Sequence, residues 1–123
     1  GLKKTYGLTG KTVTLDTGAI YSVTDKGADC NFGEVFATDG RIKALDLTVM
    51  GDDKEYFPVY QVGFTLKQST LDKYPAIADI VNKLTAVLTD QVMQTLNARA
   101  DVDGDEPATI AHDYLVEQGF IKG

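Results

Sequence analysis

The sequence predicts an α/β domain whose first half supplies strands of a mixed sheet and whose C-terminal half is helical. Two observations carry this. Four short runs within residues 11–66 are rich in β-branched and aromatic residues and are bounded by Gly and Asp. From residue 69 onward, apolar residues recur at intervals of three and four, the period of a helix with one buried face. With 123 residues, 43% of them apolar and 24% charged, the chain is long enough for one compact domain and lies outside the disordered class.

The elements follow in chain order. Residues 11–17 (KTVTLDT) alternate like a strand and stop at Gly18. Residues 18–27 suit a short helix with Ile20 and Val23 inward and Gly27 as its stop. A second strand is expected over 32–38 (FGEVFAT), with Asp-Gly turn chemistry behind it in TDGRI, and a third over 45–50 (LDLTVM), closed by GDDK. Residues 60–66 (YQVGFTL) read as a fourth, apolar β-like run. Ser69-x-x-Asp72 signals a helix start, and Pro75 opens a helix with Ile77, Ile80, Val81, Leu84 and Leu88 on its stripe. Thr89 caps the next helix, with Val92, Met93 and Leu96 on one face. Pro107 opens the last, where Ile110, Ala111, Tyr114 and Leu115 line up before Gly119. No internal repeat or low-complexity linker interrupts the order.

Composition narrows the function. Twelve Lys and Arg face 18 Asp and Glu, a net charge of −6. The basic stripe of a nucleic-acid binder is absent, so no nucleic-acid partner is expected. No apolar run approaches the roughly 20 residues of a membrane span. A single cysteine, Cys30, has no disulfide partner within the chain and cannot build a multi-thiolate metal site. No apolar segment upstream marks it for lipid attachment. The opening GLKKTYGL has the features of neither a signal peptide nor a natural start, which suggests a trimmed chain.

Candidate chemistry is sparse. Asp101, Asp103 and Asp105 alternate as in a calcium loop, but an EF-hand needs Gly at its sixth position and Glu at its twelfth. Those positions hold Glu106 and His112, so the run reads as turn acids beside a helix N-terminus. His112 is the one histidine. A Ser-His-Asp site would have to recruit Ser22 or Ser69, neither of which sits in a nucleophile-elbow sequence. No glycine-rich phosphate loop is present. The chain does not read as an enzyme, and no cofactor or metal is expected. The alternatives are a binding protein, a free-standing α/β interaction module without a small-molecule ligand and, more weakly, a hydrolase-like use of His112.

The aromatics are more informative. Phe32, Phe36, Tyr56, Phe57 and Tyr60 flank the middle of the chain, several at expected strand ends. Such rings are core or the lining of an open cleft. A cluster of ring faces suits a quaternary ammonium cation, which is attracted to them and has no donor protons to satisfy.

Residues 33–75, with TDGRI, DDK followed by an aromatic and FPVY, and LDKYP, resemble substrate-binding proteins of ABC importers for glycine betaine, choline and related osmoprotectants. The closing VDGDEPATIAHDYLVEQGFI (102–121) extends the similarity to nearly the whole chain, which matches the C-terminal half of that family. The resemblance implies a partial type II periplasmic-binding-protein-like fold. Residues 1–59 would belong to one lobe, and 60–123 would form the returning strand and C-terminal helices of the other. It implies an aromatic cage for the ligand's trimethylammonium group, with Phe36 and Tyr60, 24 residues apart, as this region's members. Phe36 replaces the commoner tyrosine, keeping the ring face and losing a hydroxyl. Tyr56 and Phe57 would pack. An ABC permease is the implied partner, and the setting is extracytoplasmic, reached through an N-terminal segment not in this sequence. The remaining cage rings would lie in the other half of the family's length, and a chain lacking it is expected to self-associate through uncovered strand edges.

Overall fold

The structure, a computed structural model, describes all 123 residues. Seven helices follow one another: α1 (Leu2–Tyr6), α2 (Thr17–Lys26), α3 (Gly40–Ala44), α4 (Gln68–Lys73), α5 (Ala76–Thr85), α6 (Asp90–Asp101) and α7 (Pro107–Glu117). No helix is long and apolar enough to cross a membrane.

The helices arise where local signals agree. α2 ends at Gly27, whose φ of 62° lets its amide bond back to Val23 and Thr24. The hydroxyl of Thr89 accepts the Val92 amide at the start of α6. Pro107 occupies the first turn of α7, and Ile110 and Tyr114 are the residues that helix buries. Two starts differ from expectation. Ser69 lies inside α4, which begins at Gln68, and Asp72 accepts from the Gln68 side chain at 2.8 Å instead of closing a cap. The Asp-Gly turn of TDGRI is in fact the N-terminus of α3. Asp39 takes extended backbone and its carboxylate accepts the Arg41 amide at 2.9 Å, an N-cap.

The expected mixed sheet is not there. Residues 11–16, 32–36, 47–50 and 60–66 form no strands. A strand exists only where a second extended segment supplies the other half of its hydrogen-bond ladder. From Pro58 to Leu66 no backbone amide finds a protein partner. β-branched composition predicts a willing strand, not its neighbour.

The consequence is an open molecule. Only five residues are buried: Tyr21, Gly40, Ile42, Ile110 and Tyr114. A compact monomer of this mass exposes about 6,500 Å², whereas this chain exposes 9497 Å². The expected inward stripe of α5 is only half-covered, and Ile80 is exposed. Order is concentrated where α3 lies against α6 and α6 against α7, with α4 against α5 as a separate contact.

Candidate functional site

The two sequence-predicted ligand residues sit on different supports. Phe36 is 69% exposed and Tyr60 84% exposed. Neither stacks on another ring, and neither lines either of two grooves among the helices. One groove, between α6 and α7, is lined by residues including Thr95, Arg99 and Tyr114; the other, about 390 Å³, is walled by Val62, Phe64, Leu71, Ile77 and Val81. Tyr60 belongs to the stretch without backbone hydrogen bonds. Phe36 leads into the best-anchored segment of the molecule.

That segment, residues 36–41, is held from three sides. The Phe36 carbonyl accepts the Asp39 amide at 3.0 Å, a turn that points the chain into α3. From α6, Gln94 Nε2 donates to the Ala37 carbonyl at 2.6 Å and Asn97 Nδ2 to the Thr38 carbonyl at 2.7 Å. From α2, the buried Tyr21 places its hydroxyl 3.4 Å from the Phe36 amide. Arg41 lays its guanidinium 4.1 Å from the Tyr21 ring centroid and grips Asp39 with two parallel bonds of 2.9 and 2.6 Å. Gly40 lets α3 come close: an added Cβ there would lie 2.6 Å from Ala98 Cα and from the Asn97 carbonyl carbon.

The electrostatics follow from this geometry. The Arg41 guanidinium, against the opposing effect of burial, holds the Asp39 carboxyl down at about 2. Burial pushes the Tyr21 hydroxyl up, with the neighbouring Asp39 adding to it. Sequence reasoning missed Tyr21, Gln94 and Asn97. The one available signal was polar Gln94 and Asn97 three residues apart on a helix, a spacing that puts both on one face.

A second polar centre organises the stretch before Tyr60. Asp52 accepts the Tyr6 hydroxyl and the amides of Tyr56 and Phe57, the latter two at 3.0 and 2.7 Å. These donors lower its pKa, the Tyr6 hydroxyl foremost. Lys54 Nζ donates to the Thr5 carbonyl at 2.8 Å, so α1 is tied to the 52–57 turn. Tyr56 and Phe57 pack edge to face on each other at 5.0 Å, each residue about two-fifths exposed.

The acidic run near residue 103 is occupied by an internal cation. Arg99 binds Asp105 at 2.8 Å and Asp113 at 3.1 Å. No group of three His, Cys, Asp or Glu side chains is gathered as metal ligands. His112 is exposed, and its charged neighbour is Asp113 at 3.9 Å, whereas Ser22 donates locally to the Ala19 carbonyl. A calcium titration should therefore leave the melting temperature unchanged. Micromolar affinity, or a clear rise in melting temperature, would refute the structural role given to this run.

Comparison with known proteins adds the context this geometry lacks. Residues 1–117 match the family OpuAC, described as the substrate binding domain of the ABC-type glycine betaine transport system. An ergothioneine transport permease/ergothioneine binding protein of Helicobacter pylori is 41% identical over 87 residues, 71% of this chain and 16% of that protein. A glycine-betaine-binding protein of Pseudomonas aeruginosa is 35% identical over 107 residues, 87% of this chain and 34% of its own length. A crystal structure described as a glycine betaine/carnitine/choline ABC transporter superposes with a TM-score of 0.84 at 34% identity, covering 97% of this chain and 43% of that one. The chain thus spans 16% and 34% of the length of these two relatives, and its fold is periplasmic-binding-protein-like. With a match that runs from the first residue through α7, the chain belongs to the OpuAC family of substrate binding domains of ABC-type glycine betaine transport systems.

Proposed function

We propose that this chain is the cation-holding part of the substrate-binding component of an ABC importer for quaternary-ammonium osmoprotectants, with Phe36 and Tyr60 presenting their ring faces to the ligand. The observation that carries this is the exposure of both rings in a chain of this family. Large aromatics left in water are what a cage needs before its ligand arrives. The names of the relatives and of the solved structure point to glycine betaine, carnitine, choline and ergothioneine, which share one trimethylammonium group. The work is capture without bond making: ring faces replace the cation's water, two lobes close, and the closed form docks on a membrane permease outside the cytoplasm. In this reading residues 1–59 and 60–123 belong to the two lobes, and α3 against α6 is where those halves touch.

Calorimetry with these four ligands, on this chain and on a binding-competent protein that contains it, is the direct test. In the latter, Tyr60→Ala should weaken binding by about 1 to 2 kcal/mol, the loss of a desolvated cation–π contact with some buried area. Unchanged affinity would remove Tyr60 from the site.

The same reading has the isolated chain self-associating through residues 33–37 or 60–66, because its surface is about one and a half times that of a compact monomer and its extended segments are unpaired. Light scattering should give a dimer or larger species; a stable monomer at high concentration would end that idea.

A further inference from the structure

The Phe36 ring is far more exposed than its backbone is free. The residue is 69% exposed, and its ring makes no aromatic contact. Beneath it, the Phe36 amide faces the Tyr21 hydroxyl, the Phe36 carbonyl takes the Asp39 amide, and the next two carbonyls are held by Gln94 and Asn97. The anchors are themselves fixed. Tyr21 is 1% exposed and lies under the Arg41 guanidinium, Arg41 is forked onto Asp39, and Asp39 caps α3 and closes the turn on Phe36. The result is a closed circuit from Phe36 through Tyr21, Arg41 and Asp39 back to Phe36, docked on one face of α6 by two short amide–carbonyl bonds.

From this arrangement we infer that Gln94 of α6, with Tyr21 of α2, is a positioning residue for the ligand site: it fixes the backbone under Phe36 so that the ring meets the cation in a preset place, without itself touching the ligand. The inference rests on the reading that Phe36 contacts the ligand. A binding ring whose supporting backbone wanders by an ångström must be ordered at each encounter, and affinity falls by that ordering cost. The side-chain amide of Gln94 is well suited to the task. It can reach the Ala37 carbonyl while its Cα stays on a helix that does not depend on the loop for its own hydrogen bonds.

Two variants test it in a binding-competent protein that contains this chain. Gln94→Met keeps the volume and removes the donor, and Tyr21→Phe keeps the buried ring under Arg41 and removes the hydroxyl. Each should speed amide hydrogen exchange at Phe36 and Asp39 by about tenfold, the weight of one such bond, while exchange in α5 is unchanged. Each should weaken glycine betaine binding by about three- to tenfold. Either change combined with Phe36→Ala should bind no more weakly than Phe36→Ala alone, because the clamp acts only through that ring.

Unchanged exchange at Phe36, which is read without ligand, overturns the clamp. Full additivity with Phe36→Ala overturns the positioning role while leaving Phe36 in the site. Unchanged affinity in Phe36→Ala itself overturns the underlying reading, and the inference falls with it.

Discussion

Gly40→Ala should destabilise the protein by about 3 kcal/mol or more, the upper range for forcing atoms into a filled space. Helix propensity alone predicts the opposite sign, since alanine in place of a helical glycine stabilises by about 1 kcal/mol. Packing wins because of what stands in the way. The new methyl would meet the Ala98 nitrogen, and at 2.6 Å Ala98 Cα and the Asn97 carbonyl carbon, all of them α6 backbone with no rotamer to change. α3 must therefore move off α6, pulling Thr38 away from Asn97 and Ala37 from Gln94. Ile42, 3% exposed, would lose cover at the same time. Urea unfolding followed by helical circular dichroism measures the change. A stability equal to or above that of the parent would show that the α3–α6 approach is not as close as described.

Asp39→Ala is expected to cost about 2 kcal/mol, because it removes two things at once. The N-cap of α3 is typically worth about 1 kcal/mol. The forked pair with Arg41 adds to it, because Asp39 is only 12% exposed while Arg41 is about a third exposed. Asp39→Asn, which can still cap, should cost roughly half as much. The pH dependence has a definite sign. The Asp39 carboxyl is lowered from its ordinary 3.8 to about 2, so its contribution is fully present above pH 4 and is lost as pH falls through 2. The parent should therefore lose stability between about pH 4 and pH 2 more steeply than Asp39→Ala. Parallel curves for the two proteins through that window would count against the Asp39–Arg41 pair as the source.

Both predictions concern TDGRI, a pentapeptide that lies within the family match yet reads from sequence as a turn. Its residues prove to be a helix cap (Asp39), a close-approach glycine (Gly40) and a guanidinium lid (Arg41) over a tyrosine 20 residues earlier. The motif builds the support, and the exposed ring before it does the proposed binding.

Local physics made much of this chain readable in advance. The stop of α2 at Gly27, the Thr89 cap of α6, Pro107 at the head of α7 and the inward Ile110 and Tyr114 all depend on residues within about four positions of one another. Net charge and the single cysteine narrowed the class before any coordinates, and the resemblance in motif order pointed to the family whose model matches residues 1–117. What stayed hidden depends on partners far away in the chain. The strand-like runs at 11–17, 32–38, 45–50 and 60–66 form no strands because a ladder is a property of two segments, and composition describes one. Tyr21 looks like any helix aromatic until Arg41 covers it, and Gln94 and Asn97 look like solvated side chains until two carbonyls from 57 and 59 residues away arrive in front of them. Whether a phenyl ring faces water or core is settled by where its backbone is tied, and for Phe36 those ties run through α2 and α6.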